Sequence, residues 1–297
     1  MSPPSSSTHQ SGGLGAEFTN GVLDSFGPDA SPRIREVMTA LIRHSHAFAR
    51  EVDLTTDELM QGLRMINWAG RMSDDKRDES LLLVDILGLE SLVDDITLGA
   101  AASDGAGSRP TSSAILGPMW RADAPIRENG STISFDTPPE AQLVFMHGIV
   151  TDADSGEPIA DASVDVWQAS TNGLYEQQDP KQEDFNLRGV FKTDAQGQYS
   201  FYCIRPTAYP IPLDGPTGKL LELMDRSGFR PAHIHLMIHA KGQKSLVTQI
   251  FDEECEYIAK DSAFAVKDEL KVRFVPRQGD AEAKLELKYD IRLARAD

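Results

Sequence analysis

Cysteine is scarce. Only Cys203 and Cys255 occur in 297 residues, which excludes a disulfide framework and makes a reducing compartment, the cytoplasm, the expected setting. Cys203 stands among β-formers and is expected in a core. No apolar run approaches the length a membrane helix needs. The Ser/Pro/Gly-rich N-terminus also lacks the basic-then-apolar order of a secretion signal. Positive charge is in deficit: 29 Lys and Arg stand against 46 Asp and Glu, a net charge of −17. Such a surface disfavours nucleic acid and anionic membrane as main partners. A small anionic substrate stays open, because one local Arg overrides a global field. No internal repeat is present.

What is there changes character along the chain. Residues 1–27 are poor in apolar side chains and are expected to be disordered or loosely attached. Residues 28–112 read as a helical domain with its linker. Ser31-Pro32 is a helix start, followed by Ile34, Val37, Met38, Leu41 and Ile42 at helical spacing. Thr55 and Glu58 form a capping box ahead of Leu59, Leu63 and Ile66. His44 and His46, two residues apart on a helix, point away from each other and cannot share a metal. A third helix is expected from near Ser73 through Glu90, its apolar run interrupted by Asp85. That carboxylate either turns to solvent or enters a pocket to meet a ligand hydroxyl. Thr97 to Pro110 loses periodicity and is the best boundary.

From about Ser113 to residue 297 the period becomes that of strands. Leu143–Thr151, Ala162–Ala169, Gly189–Thr193, Tyr199–Ile204, Ser245–Phe251, Leu270–Phe274 and Leu285–Ile291 are rich in β-formers. Turn clusters such as Asp152–Gly156 and Asp194–Gly197 separate the first of them. The expected fold is mainly β with α: an antiparallel β-sandwich preceded by a helical N-terminal domain.

One further strand carries chemistry. In Phe229-Arg-Pro-Ala-His-Ile-His-Leu-Met-Ile-His-Ala240, alternation puts His233 and His235 on one face with Cα atoms about 7 Å apart, a good bite for one metal ion. His239 shares their parity but lies about 13 Å further on. A bare His-x-His is equally a pair of hydrogen-bonded sheet histidines. Further donors would have to come from elsewhere, and their type selects the metal. The two cysteines lack a paired zinc spacing; carboxylates are plentiful. Two loop tyrosines are the unusual candidates: Tyr175 after Thr171-Asn-Gly-Leu174, and Tyr209 in the Pro-rich stretch Arg205–Pro212.

Several ordered stretches share a likeness. Leu116-Gly-Pro118, Gly173-Leu-Tyr175, Phe185-Asn-Leu-Arg188, Thr193–Tyr199, Pro206-Thr-Ala-Tyr209 and Arg230-Pro-Ala-His-Ile-His235 resemble the consecutive signatures of intradiol ring-cleaving dioxygenases, over roughly Arg33 to Phe274. Within that family, Tyr209-Pro-Ile-Pro-Leu-Asp-Gly-Pro-Thr-Gly-Lys219, Leu174–Gln178 and Asp85 in Leu-Val-Asp-Ile-Leu-Gly88 are closest to the hydroxyquinol 1,2-dioxygenases. Met119 departs from the pattern, standing where an aromatic is expected after Gly117-Pro118.

The resemblance implies one Fe(III) per subunit, ligated by Tyr175, Tyr209, His233 and His235. Phenolates are hard anionic donors that favour the ferric state. Two of them with one hydroxide neutralise it, and a chelating diol dianion can replace the hydroxide and Tyr209 without changing the total charge. The implied reaction cleaves hydroxyquinol (benzene-1,2,4-triol) with O2 to maleylacetate in aromatic catabolism. By the same likeness Arg230 stabilises charge on the reacting ring and Gln249 supports it. Leu82, Asp85, Gly117, Pro118, Ile211 and Arg230 form the substrate wall, with Asp85 the partner of the third hydroxyl. A homodimer through the N-terminal helices, with a bound phospholipid, is also implied. The alternatives are a catechol 1,2-dioxygenase giving cis,cis-muconate, a cupin-like ferrous or zinc site using the histidines and a carboxylate, and a non-catalytic β-sandwich binding module.

Overall fold

The fold is taken from a computed structural model that describes residues 14–74, 77–99 and 109–296. The chain forms two compact units, Met1–Arg64 and Met65–Asp297. In the first, α1 (Ala16–Asp24) packs on α2 (Pro32–Glu51). Part of the stretch expected to be loose is therefore helical; its residues 1–13 lie outside the described residues. What fixes α1 is polar: Thr19 Oγ1 lies 3.0 Å from His46 Nδ1 and accepts from Arg50 at 2.9 Å. Ser31 caps α2 by accepting from the Ile34 amide at 3.3 Å. The Thr55–Glu58 box opens α3 (Thr56–Met72), with Thr55 N donating to Glu58 at 2.8 Å and Glu58 N to Thr55 Oγ1 at 3.3 Å.

The single helix expected from Ser73 to Glu90 is two. α4 (Glu79–Ile86) and α5 (Leu89–Gly99) are separated at Leu87-Gly88, where Gly88 takes φ +70°. An apolar run hides this break, because leucine and isoleucine suit both sides of it. Both helices belong to the second unit, so the compact units do not part near residue 112. The expected boundary there borders residues 100–108, which lie outside the described residues. α4 packs on α6 (Pro216–Leu223), burying Leu82 and Ile86 with Ile211 and Leu221. The fully buried Glu79 carboxylate accepts from Arg77 at 2.7 Å and from the Thr217 amide at 3.1 Å, tying the start of α4 to the start of α6.

Among the described residues thirteen strands follow in the second unit: β1 (Ile126–Arg127), β2 (Leu143–Asp152), β3 (Ser163–Trp167), β4 (Arg188–Lys192), β5 (Gln198–Ile204), β6 (Tyr209–Pro210), β7 (Phe229–Arg230), β8 (His233–His239), β9 (Leu246–Asp252), β10 (Lys271–Val272), β11 (Val275–Pro276), β12 (Leu285–Lys288) and β13 (Ile291–Leu293). One sheet runs β1-β4-β3-β8-β9-β10. The other runs β11-β12-β2-β13, with β5 on the free side of β2. The long central pairs are antiparallel, as expected of the sandwich, but the sheets are mixed. Short edge segments pair in parallel: β1 with β4, β10 with β9, and both β12 and β13 with β2. The expected strand 285–291 is interrupted at Tyr289-Asp290, where Tyr289 O accepts from Tyr199 Oη at 2.7 Å and Asp290 accepts from the Ile149 amide at 3.2 Å.

The core lies between the sheets. Val144, Met146, Phe201 and Cys203 from one meet Val164, Val166, Phe191, Ile234, Leu236 and Ile238 from the other, all buried. Phe191 and Phe201 stack across the gap with centroids 4.8 Å apart. Phe201→Ala removes one half of that stack and leaves a cavity. It is expected to cost about 3–5 kcal/mol of stability, read from the shift of the urea unfolding curve.

Candidate metal centre

β8 has two working faces. Ile234, Leu236 and Ile238 enter the core, so His233, His235 and Met237 take the outer face, all three buried. On that face the register aligns Arg188 of β4, Trp167 of β3, His235 of β8 and Gln249 of β9 in one row across four strands. Trp167 stacks on the His235 ring at 4.7 Å and 11°. His233 Nδ1 lies 2.6 Å from Pro231 O. A carbonyl only accepts, so Nδ1 carries the proton and the Nε2 lone pair faces the centre. His239 sits at the exposed far end of the strand, paired with Ser245 at 2.6 Å, and takes no part.

Two segments bring the tyrosines over this face. β6 pairs with β7, setting Tyr209 opposite Arg230. Tyr175 follows the turn that contains Gly173, which adopts φ +78°, and a Cβ there would stand 2.7 Å from the Cβ of Tyr209. Only glycine satisfies both demands, and the two tyrosine-bearing segments touch at this point.

The result is a closed ring of donors. Tyr175 Oη is 2.9 Å from Tyr209 Oη, which is 3.3 Å from His233 Nε2. That nitrogen is 3.1 Å from His235 Nε2, which is 3.1 Å from Tyr175 Oη. Donors held about 2 Å from one ion, at angles between square and tetrahedral, lie about 2.9–3.4 Å from each other. The four groups therefore fit a single metal, and two phenol oxygens with two imidazoles suit a hard, oxidised one. Among the described residues no three His, Cys, Asp or Glu side chains converge for a metal, so a histidine–carboxylate centre of the cupin type is not assembled.

Burial dominates the electrostatics. It raises the Tyr175 phenol, reinforced by Tyr209, and raises that of Tyr209 against the pull of Arg230. It lowers His233 to about 3, helped by Arg230, and lowers His235 well below the usual imidazole range. Neutral imidazoles are what a metal requires of histidine; ionised phenols require the cation itself, whose charge inverts the local preference.

Arg230 stands beside the ring, its Nη1 3.4 Å from His233 Nε2. Asp261 accepts from its Nε at 3.1 Å and Nη2 at 3.2 Å, and Gln249 Oε1 accepts from Nη2 at 2.8 Å. Gln249 in turn donates to Ile115 O at 2.7 Å. It is not among the residues lining the pocket beside the ring, and its side-chain oxygen meets Arg230 rather than a donor. All six expected wall residues, Leu82, Asp85, Gly117, Pro118, Ile211 and Arg230, line one pocket that includes Tyr209 and His235. Asp85 is 3% exposed there, so it does not turn to solvent. Met119 joins the wall, packs with both tyrosines and receives Gln177 Nε2 on its sulfur at 3.4 Å.

Sequence reasoning missed two supports. Asp261, which neutralises Arg230, lies in a loop with no periodic signal. The buried pair Arg188–Glu176, 2.7 Å apart, fixes the segment of Tyr175 and sets the guanidinium 5.7 Å from that ring. Arg188 ends one quoted signature and Glu176 lies within another, which is the only signal they carry.

Comparison with known proteins agrees with this geometry. The Dioxygenase family model matches residues 115–295 and the Catechol dioxygenase N terminus model residues 31–105. The intradiol ring-cleavage dioxygenase prcA of Aspergillus niger is 47% identical over 277 residues, covering 93% of this chain and 87% of that protein. The catechol 1,2-dioxygenase of Candida albicans is 46% identical, covering 93% and 91%. The hydroxyquinol 1,2-dioxygenase of a Rhizobium species is 40% identical, covering 87% and 84%. The solved hydroxyquinol 1,2-dioxygenase of Pseudomonas putida DLL-E4 superposes with a TM-score of 0.82 at 32% identity, covering 95% of this chain and 98% of that one.

Gly173→Ala is expected to push Tyr209 off the ring. It should lower stability by about 1–3 kcal/mol in thermal unfolding and reduce the metal bound per chain by elemental analysis.

Proposed function

The chain belongs to the intradiol ring-cleaving dioxygenases, and on that premise we propose that it cleaves hydroxyquinol between its adjacent hydroxyl-bearing carbons with O2, giving maleylacetate. The observation that carries this reading is the ring of two phenols and two imidazoles at the floor of a pocket whose wall presents Asp85. Tyr175, Tyr209, His233 and His235 would hold one ferric ion per subunit, which when bound supplies a Lewis acid and electron acceptor to a chelated diol.

The side chains divide the remaining work. Tyr175 is fully buried behind the ring, whereas Tyr209 faces the pocket at 8% exposure. Tyr209 would therefore be the phenol that gives way to a diol and takes one of its protons at Oη, and Tyr175 the one that would remain a ligand. Arg230, fixed by Asp261 and Gln249 and lining the same pocket, presents an oriented positive charge to oxygens that become negative. Leu82, Ile86, Pro118 and Ile211 give a flat ring an apolar slot and exclude water. Within that slot Asp85 is the partner for a third ring hydroxyl.

A second reading, catechol cleaved to cis,cis-muconate, is favoured by the 46% identity to the Candida enzyme. Comparing kcat/KM and product for the two substrates separates them. Support for a homodimer through the N-terminal helices, a phospholipid at that contact included, comes from the exposed stripe of Ile34, Val37, Met38 and Leu41 on α2. Two unpaired cysteines support a cytoplasmic setting. No helix among the described residues is long and apolar enough to cross a membrane.

Iron-loaded protein should be wine-red from phenolate-to-iron charge transfer. Tyr175→Phe is expected to lose most of the colour and the ring cleavage together; a variant keeping both would sink the assignment of Tyr175. Asp85→Ala is expected to lower kcat/KM for hydroxyquinol about 5- to 150-fold, the equivalent of about 1–3 kcal/mol, and to change that for catechol far less.

A further inference from the structure

Most of the pocket wall is apolar, and Arg230, its one guanidinium, is already held by Asp261 and Gln249. Outside the four donors, two lining side chains carry an uncommitted polar atom. Asp85 Oδ1 and Ser262 Oγ are both buried, with no hydrogen-bond partner among the described residues. Asp85 has a role in the reading above; Ser262 has none.

The chain around Ser262 is firmly fixed. Its amide donates to Phe229 O at 3.1 Å, and its carbonyl accepts from Arg226 Nη2 at 3.0 Å. On one side Asp261 accepts from Arg230 and from the Ala263 and Ala265 amides at 3.1 and 3.0 Å. On the other, Ala263 O accepts from Ser91 Oγ at 2.9 Å. The Arg226 guanidinium that holds Ser262 O also donates to Ile86 O, next to Asp85 on α4. One side chain thus keeps the backbones of Ile86 and Ser262 together, and the two uncommitted groups belong to adjoining parts of the wall. With its amide and carbonyl both engaged, Ser262 has only its hydroxyl left to offer a ligand, and that hydroxyl serves no contact in the fold.

Burying a hydroxyl without a partner costs free energy, so such a group calls for an explanation. A hydroxylated ring supplies one. A ring hydroxyl both donates and accepts, so it satisfies a carboxylate oxygen and a serine hydroxyl at once, which a bare or methyl-bearing ring carbon does not. We propose that Ser262 is a specificity-determining residue whose Oγ donates to the third hydroxyl of the substrate ring, the same hydroxyl that donates to Asp85. This rests on the reading of the pocket as a hydroxyquinol site.

The two roles open to a buried hydroxyl have opposite effects on the free protein. Removing one that serves the fold lowers stability. Removing one that waits for a ligand is neutral or stabilising. Ser262→Ala is compared with the parent, each iron-loaded, for kcat/KM on hydroxyquinol, catechol and 4-methylcatechol, in which a methyl of similar size replaces the third hydroxyl. Activity on hydroxyquinol is expected to fall about five- to tenfold relative to each of the other rings. The thermal midpoint of metal-free Ser262→Ala is expected to equal or exceed that of the metal-free parent. A ratio unchanged against either comparison ring overturns the proposal. So does a lower midpoint, which assigns the hydroxyl to the fold. A parent that cleaves catechol but not hydroxyquinol overturns the substrate reading and this inference with it. A parent selective for hydroxyquinol whose Ser262→Ala variant is equally selective overturns this inference alone.

Discussion

The pleat of β8 is the constraint on which the rest depends. Alternate residues of one strand serve two environments: Ile234, Leu236 and Ile238 complete the core, and His233 and His235 are thereby forced onto the opposite face. A slip of one residue would exchange the two sets, driving imidazoles into hydrocarbon and isoleucines into the centre. The energy that fixes the register is hydrophobic, and the centre inherits its geometry from it. The neighbours extend the same arrangement, because the row Arg188, Trp167, His235, Gln249 is simply the outer face of four antiparallel strands in register.

The centre is encased, and the charged groups around it are each paired with one of opposite sign. Arg230 is paired with Asp261 and Arg188 with Glu176, each pair buried. Breaking such a pair leaves an uncompensated charge away from water, which makes these residues strongly interdependent. The chain's net charge of −17 says nothing of this. Beside the donors the sign is set locally, by guanidinium groups whose counter-ions arrive from distant loops.

Local chemistry made much of the fold legible. The Ser31 cap, the Thr55–Glu58 box and the alternation of β8 are each decided by residues a few positions apart, and each is found where the sequence puts it. The tyrosines were legible only through family likeness, since nothing in the spacing of 175, 209 and 233 demands that they meet. Asp261 meets Arg230 across 31 positions, a pairing that no periodicity encodes. The break at Gly88 was hidden by flanking leucines, and that β10, β12 and β13 pair in parallel with strands distant in sequence is not written in their own residues.

The pocket draws on several separate stretches of chain, and the donors and the outer wall come from different ones. The four donors all lie between residues 175 and 235, on the sheet and the loops over it. Leu82, Asp85 and Ile86 of the wall come instead from a helical hairpin stitched to the sandwich by Arg226 and Ser91. Reactivity and taste are thus written in different paragraphs of the gene. A lineage can rewrite residues 82–90, and with them one side of the pocket, while the four donors underneath are left untouched.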